Sequence, residues 1–308
     1  MPDDGPRPKT SSQDIQPKLF EIHTTHNPEP QIKQLPYPIW TENKANLIAK
    51  YIFLFELITK HGTYIDGFAG PQQPDRPEMW SAKLVLEIEP KWLRHFFLFE
   101  KTKAGYDLLK FLEASQPATK DREIGVFRGD FNVEVDSILN SKNIGQKEAT
   151  FCLLDQRTFE CHWSTVRKLA AYKAAKSNKF ELFYFLAGWW YRRAVTAVKR
   201  DNVLKNWWGR DDWQALREKR LLVVKDEMVA RFKSELGYAS AKAWPILDKA
   251  GRDMYFMIRA TDYLGAPALM ERAYSEAVQP ENSAVQLSFP RDEPQILGDG
   301  PLPAPKTA

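Results

Sequence analysis

Thr63-Tyr64-Ile65-Asp66-Gly67-Phe68-Ala69-Gly70-Pro71 is a short apolar run that ends in an acid and opens into a glycine-bearing turn. A run of this kind, bounded by Gly62 on one side and the turn on the other, reads as a buried strand. Glycines at 67 and 70 let the backbone turn tightly and approach a ligand closely. The spacing is not Gly-x-Gly-x-x-Gly, which weakens a dinucleotide reading, and the chain has no Gly-x-x-x-x-Gly-Lys-Ser/Thr loop for a nucleoside triphosphate.

Outward from this stretch the pattern alternates. Thr41–Lys60 reads as a helix, with Leu47, Ile48, Tyr51, Ile52, Phe55 and Ile58 recurring at three and four. Strands follow at His95–Phe99, Ile124–Phe127, Ala149–Leu154 and Phe180–Leu186, and one more at Met254–Arg259. Helices are expected at Ser81–Glu89, Lys103–Ala114, Trp163–Ala174 and Pro267–Ala277, with another after Gly129-Asp130-Phe131 that runs through Leu139. Strands alternating with helices indicate an α/β fold: a doubly wound, Rossmann-like, mostly parallel sheet with a helical insertion after the fifth strand. In such sheets ligands bind beyond the carboxyl ends of the strands.

Four successive strands run into a carboxylate: Asp66, Glu100, Asp130 and Asp155. Taken singly, each is a strand-end acid or a helix N-cap. Together they form a rim suited to a ligand rich in hydroxyls and amino groups. Asp-x-Phe-x-Gly after a strand is the form many S-adenosylmethionine enzymes use for the amino-acid end of that cofactor. On this reading Asp66, Gly67, Phe68, Ala69 and Gly70 hold the methionine end and Glu100 takes the ribose hydroxyls. Asp130 and Phe131 take the adenine, and Lys44 reaches the cofactor carboxylate. Asp155 and Phe159, in Leu153-Leu154-Asp155-Gln156-Arg157-Thr158-Phe159, are the candidate catalytic pair. Amino-methylating nucleic-acid enzymes place an acid or amide, two prolines and an aromatic here, to accept from the target amine and stack on an extruded base. Both prolines are missing.

Of 308 residues, 43% are hydrophobic and 27% charged, enough for a sizeable core. Residues 1–36 read as a polar arm, 37–278 as the folded domain, and 279–308 as a Pro-rich tail ending in Pro301-Leu302-Pro303-Ala304-Pro305. No run suits a membrane span and the start lacks a signal pattern. Two cysteines, Cys152 and Cys161, make neither a disulfide scaffold nor a four-Cys zinc site, so a cytoplasmic address is expected. The five histidines have no partners at ligand spacing, and no metal is expected.

The net charge is only +4, yet residues 192–233 hold twelve basic and six acidic side chains. A basic, Trp-rich insertion spans about 188–233. There Trp189, Trp190, Arg192, Arg193, Lys199 and Arg200 are the candidate nucleic-acid contacts, because aromatics among cations suit single strands and flipped bases. The competing reading is that the tryptophans pack the insertion onto the sheet, and it is favoured for Trp207 and Trp208.

The chain resembles the three-Cys-motif partner (TcmP) family over about residues 37–278. The resemblance is carried by Trp40-Thr41-Glu42-Asn43-Lys44, Tyr64 to Pro71, Gly129-Asp130, Leu153-Leu154-Asp155, Trp207-Trp208-Gly209-Arg210-Asp211-Asp212-Trp213 and Tyr255-Phe256-Met257-Ile258. It implies a class I methyltransferase-like fold, S-adenosylmethionine as cofactor with S-adenosylhomocysteine as product, and a radical-enzyme-like three-Cys protein as partner. The chain departs from the family pattern at Gln72-Gln73, at Trp80-Ser81-Ala82, and at Gln156-Arg157. The leading expectation is an S-adenosylmethionine-dependent methyltransferase acting on amino groups of nucleic acid. The alternative is a diverged, inactive fold of the same kind serving as a binding module in a bacterial defence or modification system. A nicotinamide oxidoreductase comes third.

Overall fold

The computed structural model of the chain describes residues 40–278 apart from 120, 141–143, 146, 174–178, 189 and 248–252, with side chains from residue 44 onward. The arm 1–36, the tail 279–308 and Trp189 lie outside the described residues. Helix α1 (Trp40–Thr59) buries Leu47, Ile48, Tyr51, Ile52 and Phe55, the stripe that its three-and-four spacing marks out.

Strands β1 (Thr63–Asp66), β2 (His95–Glu100), β3 (Glu123–Arg128), β4 (Thr150–Leu154) and β5 (Glu181–Ala187) pair in parallel. Strand β7 (Asp253–Thr261) runs antiparallel to both β5 and β6 (Ser240–Leu247), and the order across the seven-stranded sheet is β3-β2-β1-β4-β5-β7-β6. The expected doubly wound, mostly parallel sheet is therefore the observed one. The order reverses between β1 and β4, which opens a crevice past their carboxyl ends.

Each face of the sheet has its own core. In β5, Phe183 and Phe185 point to the side packed by α1, α2 (Ser81–Leu86), α3 (Lys103–Ser115) and α9 (Ala266–Val278). Leu182, Tyr184 and Leu186 point to the side packed by α4 (Phe131–Leu139), α5 (Trp163–Ala171) and the helices after β5. Every residue of β5 is buried, so it reads as a continuous apolar run with no alternation to betray two faces.

Two differences from the sequence reading have physical causes. Strand β6 was not expected, because Pro245 and the small residues of Ser240–Leu247 suppress a strand signal; as the edge strand of the sheet it tolerates the proline. The insertion also packs onto the sheet more extensively than the reading of Trp207 and Trp208 alone implied. Residues 188–233 form α6 (Tyr191–Ala197), α7 (Asp201–Trp208), a 3-10 turn over Asp211–Arg217 and most of α8 (Leu221–Ser234), and their apolar side chains complete the second core. Trp207 and Trp208 have no exposed surface. The Arg231 guanidinium lies between the rings of Trp163 at 3.9 Å and Trp208 at 4.6 Å, and Glu235 accepts from both Arg231 Nε and Trp163 Nε1 at 2.8 Å. Gly209 ends α7 at φ 69, where a Cβ would stand 2.5 Å from that of Trp163.

Candidate active site

In register, Asp66 pairs with Leu98 on β2 and Leu153 on β4. Glu100 and Asp155 thus lie two residues further along on either side, flanking the turn after β1. Asp130 follows β3 and caps α4, accepting from the Asn132 N–H at 3.0 Å. The rim of acids inferred from four separate strand ends is one rim in space.

It borders a cleft of about 400 Å³ lined by Gly67, Phe68, Gly70, Glu100, Asp130, Phe131, Asp155 and Phe159, among others. A small recess lined by Lys44, Asp66, Ala69 and Trp80 shares Phe68, Gly70, Gln72 and Asp155 with it. The nine expected cofactor-binding residues therefore line either the cleft or the recess. A Cβ on Gly67 would lie 2.6 Å from the buried Phe131 ring, and one on Gly70 would lie 2.1 Å from Glu100 Oε2, so a side chain at 70 would displace the end of Glu100.

Asp66 is 1% exposed. It accepts from the Phe68 N–H at 3.0 Å and from the Tyr64 hydroxyl at 3.2 Å. Burial pushes its carboxyl up to about 7, and the charge of Asp155 adds to this against the pull of Phe68, Tyr64 and Lys44. Burial also pushes Asp130 upward, but the Lys101 ammonium at 2.8 Å and the Asn132 donors outweigh it and hold that carboxyl below its ordinary value. Glu100 accepts from the Thr102 N–H at 2.7 Å.

Lys44 and Asp155, assigned from sequence to different ligands, are joined to each other. The ammonium donates to Asp155 Oδ1 at 2.8 Å with only 1% of the lysine side chain exposed, and it faces the rings of Phe185 and Tyr255 at about 5 Å. Phe159 lies at the cleft with 4% exposure, its ring edge-on to Trp207 at 4.8 Å. Trp190 is half-buried and meets Tyr255 edge-on at 4.7 Å, while Arg192, Arg193, Lys199 and Arg200 are exposed.

Two of the positions at which the sequence departs from the TcmP resemblance have structural roles. Trp80 donates its indole N–H to the Ala69 carbonyl at 2.6 Å and so pins the glycine turn. Gln156, 1% exposed, donates to the Phe185 carbonyl at 3.0 Å and accepts from the Cys161 N–H at 2.9 Å, stapling the end of β4 to β5 and to the turn before α5. The sequence reading also missed Asn132. Its side-chain oxygen accepts from the His162 N–H at 2.8 Å and Thr165 Oγ1 at 2.9 Å, and its amide nitrogen donates to Asp130 and to the Glu160 carbonyl. Asn202 and Asn206 of α7, one helical turn apart, line the cleft beside Phe159, a spacing that the sequence did display. Cys152 and Cys161 are both buried thiols.

Among the described residues no group of three His, Cys, Asp or Glu side chains could hold a metal ion, and no helix is long and apolar enough to cross a membrane. No protein-family model matches the chain, and no curated protein matches it. Among solved structures it is similar to the methyltransferase domain of bacterial CtHen1, with 9% identity over 71% of this chain and 98% of that one at a TM-score of 0.43. It is also similar to protein LPL1258 from Legionella pneumophila, with 9% identity over 80% of this chain and 95% of that one at a TM-score of 0.45.

Proposed function

We propose that the cleft binds S-adenosylmethionine and that the chain is a methyltransferase acting on an amino group of nucleic acid. The observation that carries this reading is the contact of glycine with acid: Gly70 leaves room for Glu100, and Gly67 for the Phe131 ring, at the one place where the strand order reverses. A turn with glycines at 67 and 70 beside buried and half-buried carboxylates fits a ligand bearing an ammonium, a diol and an amino-substituted ring. When bound, that cofactor supplies an activated methyl group on a sulfonium centre.

The protein's part is binding and alignment. Asp66 in its ionised form pairs with the ammonium, and Glu100 accepts from the ribose hydroxyls. Asp130, fixed by Lys101 and Asn132, accepts from the adenine amine, and Phe131 packs on the ring. Asp155, kept at the cleft by Lys44, accepts from the target amine and orients its lone pair. Phe159 walls the acceptor side. The exposed cations of α6 and the loop after it attract the phosphate backbone, and a three-Cys protein is the partner that the TcmP resemblance implies.

Calorimetric titration of S-adenosylmethionine and S-adenosylhomocysteine tests the reading. Micromolar binding by the native chain, lost in Asp66→Ala and in Glu100→Ala, is the expected result. A folded native sample that binds neither compound overturns it.

A further inference from the structure

A second cavity, of about 440 Å³, lies at the opposite end of the sheet, where β4 and β5 begin, β7 ends, α1 ends and α9 starts. Its walls are mainly apolar, from Phe55, Ile58, Leu264 and Leu269. Ile58, Tyr263 and Leu264 are 38%, 51% and 87% exposed, so three of the large hydrophobic side chains left in water gather at one mouth.

The polar groups of this lining are almost all committed within the fold. The Lys179 ammonium donates to the carbonyls of Leu236 at 3.0 Å and Gly237 at 2.6 Å. Asp262 accepts from the Ala239 N–H at 2.9 Å and lies 3.9 Å from Lys179. The hydroxyls of Thr59, Thr150 and Thr261 are each bonded to neighbouring groups. Glu181 differs. It is 7% exposed, one carboxylate oxygen accepts from the Tyr51 hydroxyl, and the other has no hydrogen-bond partner among the described residues. Arg259 contributes its charge nearby but does not line the cavity. The site thus offers an apolar chamber with an uncommitted oxygen of a buried carboxylate in its wall, the composition of a small-molecule pocket.

We propose that this basal cavity is a second ligand site, which takes a small molecule with an aromatic or branched apolar body and a hydrogen-bond-donating head, an amine or hydroxyl, held by Glu181. The apolar body covers the exposed mouth, and the head supplies the donor that the free oxygen of Glu181 lacks. The site is independent of the cleft and of the activity proposed for it.

The test uses phenethylamine, phenethyl alcohol and hydrocinnamate, three probes with one body and different heads, titrated into the full chain by calorimetry. The amine and the alcohol are expected to bind saturably at one site and to displace each other, and hydrocinnamate to bind at least about tenfold more weakly. Glu181→Gln is expected to weaken the amine by about tenfold. Leu269→Trp, which fills the chamber and leaves Glu181 in place, is expected to abolish binding of both, with a cooperative melt showing that each variant folds. The proposal is overturned if neither donor probe binds the native chain, if Leu269→Trp leaves binding unchanged, or if hydrocinnamate binds most tightly, which would assign the head group to Lys179.

Discussion

At the carboxyl end of the sheet Asp66 is buried to 1% exposure under the hydroxyl of Tyr64; at the amino end Glu181 is buried to 7% under the hydroxyl of Tyr51. Burial, the largest cause in each case, pushes both carboxyls up to about 7. Their surroundings differ. Around Asp66 the chain removes side chains, at Gly67 and Gly70, and brings in charge, at Lys44, Asp155 and Glu100. Around Glu181 it supplies Phe55, Ile58 and Leu269. The same buried acid lies beside a polar, charged cleft or in the wall of a mainly apolar chamber, according to what the neighbouring elements place beside it.

The sharpest way to break this contrast is Gly70→Val. The added atoms displace the flexible end of Glu100 rather than the backbone, so S-adenosylhomocysteine affinity should fall by about 100-fold while phenethylamine binding and the melting temperature change little. Calorimetry and a thermal melt on the same sample check both halves.

The pH dependence of cofactor binding comes next. An ammonium pairs with ionised Asp66, so below about 7 S-adenosylhomocysteine affinity should weaken by as much as about tenfold per pH unit and level off above it. The groups facing Asp66 are Tyr64, Lys44 and Asp155, and Asp66→Asn should remove this dependence. A flat native profile between pH 5.5 and about 8 would remove Asp66 from the binding role.

Stability should respond in the same window at both ends of the sheet. A buried acid with a raised folded-state pKa binds its proton more tightly in the native chain than in the unfolded one. Its contribution is fully present below the unfolded value of about 4 and is lost as pH rises through about 7. Asp66→Asn and Glu181→Gln should each flatten the fall in melting temperature over that range. Denaturant titrations at several pH values would show whether either variant leaves the slope untouched.

Smaller effects are expected at the surface. Exchanging Arg192 and Lys199 for alanine should weaken nucleic-acid binding uniformly across sequences and lower the salt slope by about one per cation, read from filter binding at several ionic strengths. Leu264→Ser, at a residue 87% exposed, should change stability by no more than about 0.5 kcal/mol while weakening phenethylamine.

Much of the fold was legible because its signals are local. The stripe of α1, the apolar runs of β1, β2, β4 and β5, and the acids that close them each depend on residues a few positions apart, and the observed elements match them to within a few residues. That the candidates other than Lys44 share one rim was legible for the same reason, since each follows a strand and the alternating pattern orders the strand ends. What escaped was long-range. Strand β6 is a strand because β7 pairs with it, against its own composition. Burial of Trp207 and Trp208, the favoured reading of that pair, is confirmed, but which ring and which helix each would meet was not legible, because α5, α7 and α8 are brought together only by the sheet beneath them.

Residue types and short spacings therefore settled which groups are polar, where backbone must turn, and which strands end in acids, because those follow from chemistry carried by neighbours in the chain. Only the folded arrangement decided that Lys44 pairs with Asp155 across 111 positions, that Gln156 spans β4 to β5, and that Glu181 opens on a chamber built from α1, β7 and α9. Such pairings depend on the crossing of separate elements, and no local pattern encodes the distance between two side chains brought together by the closing of a sheet.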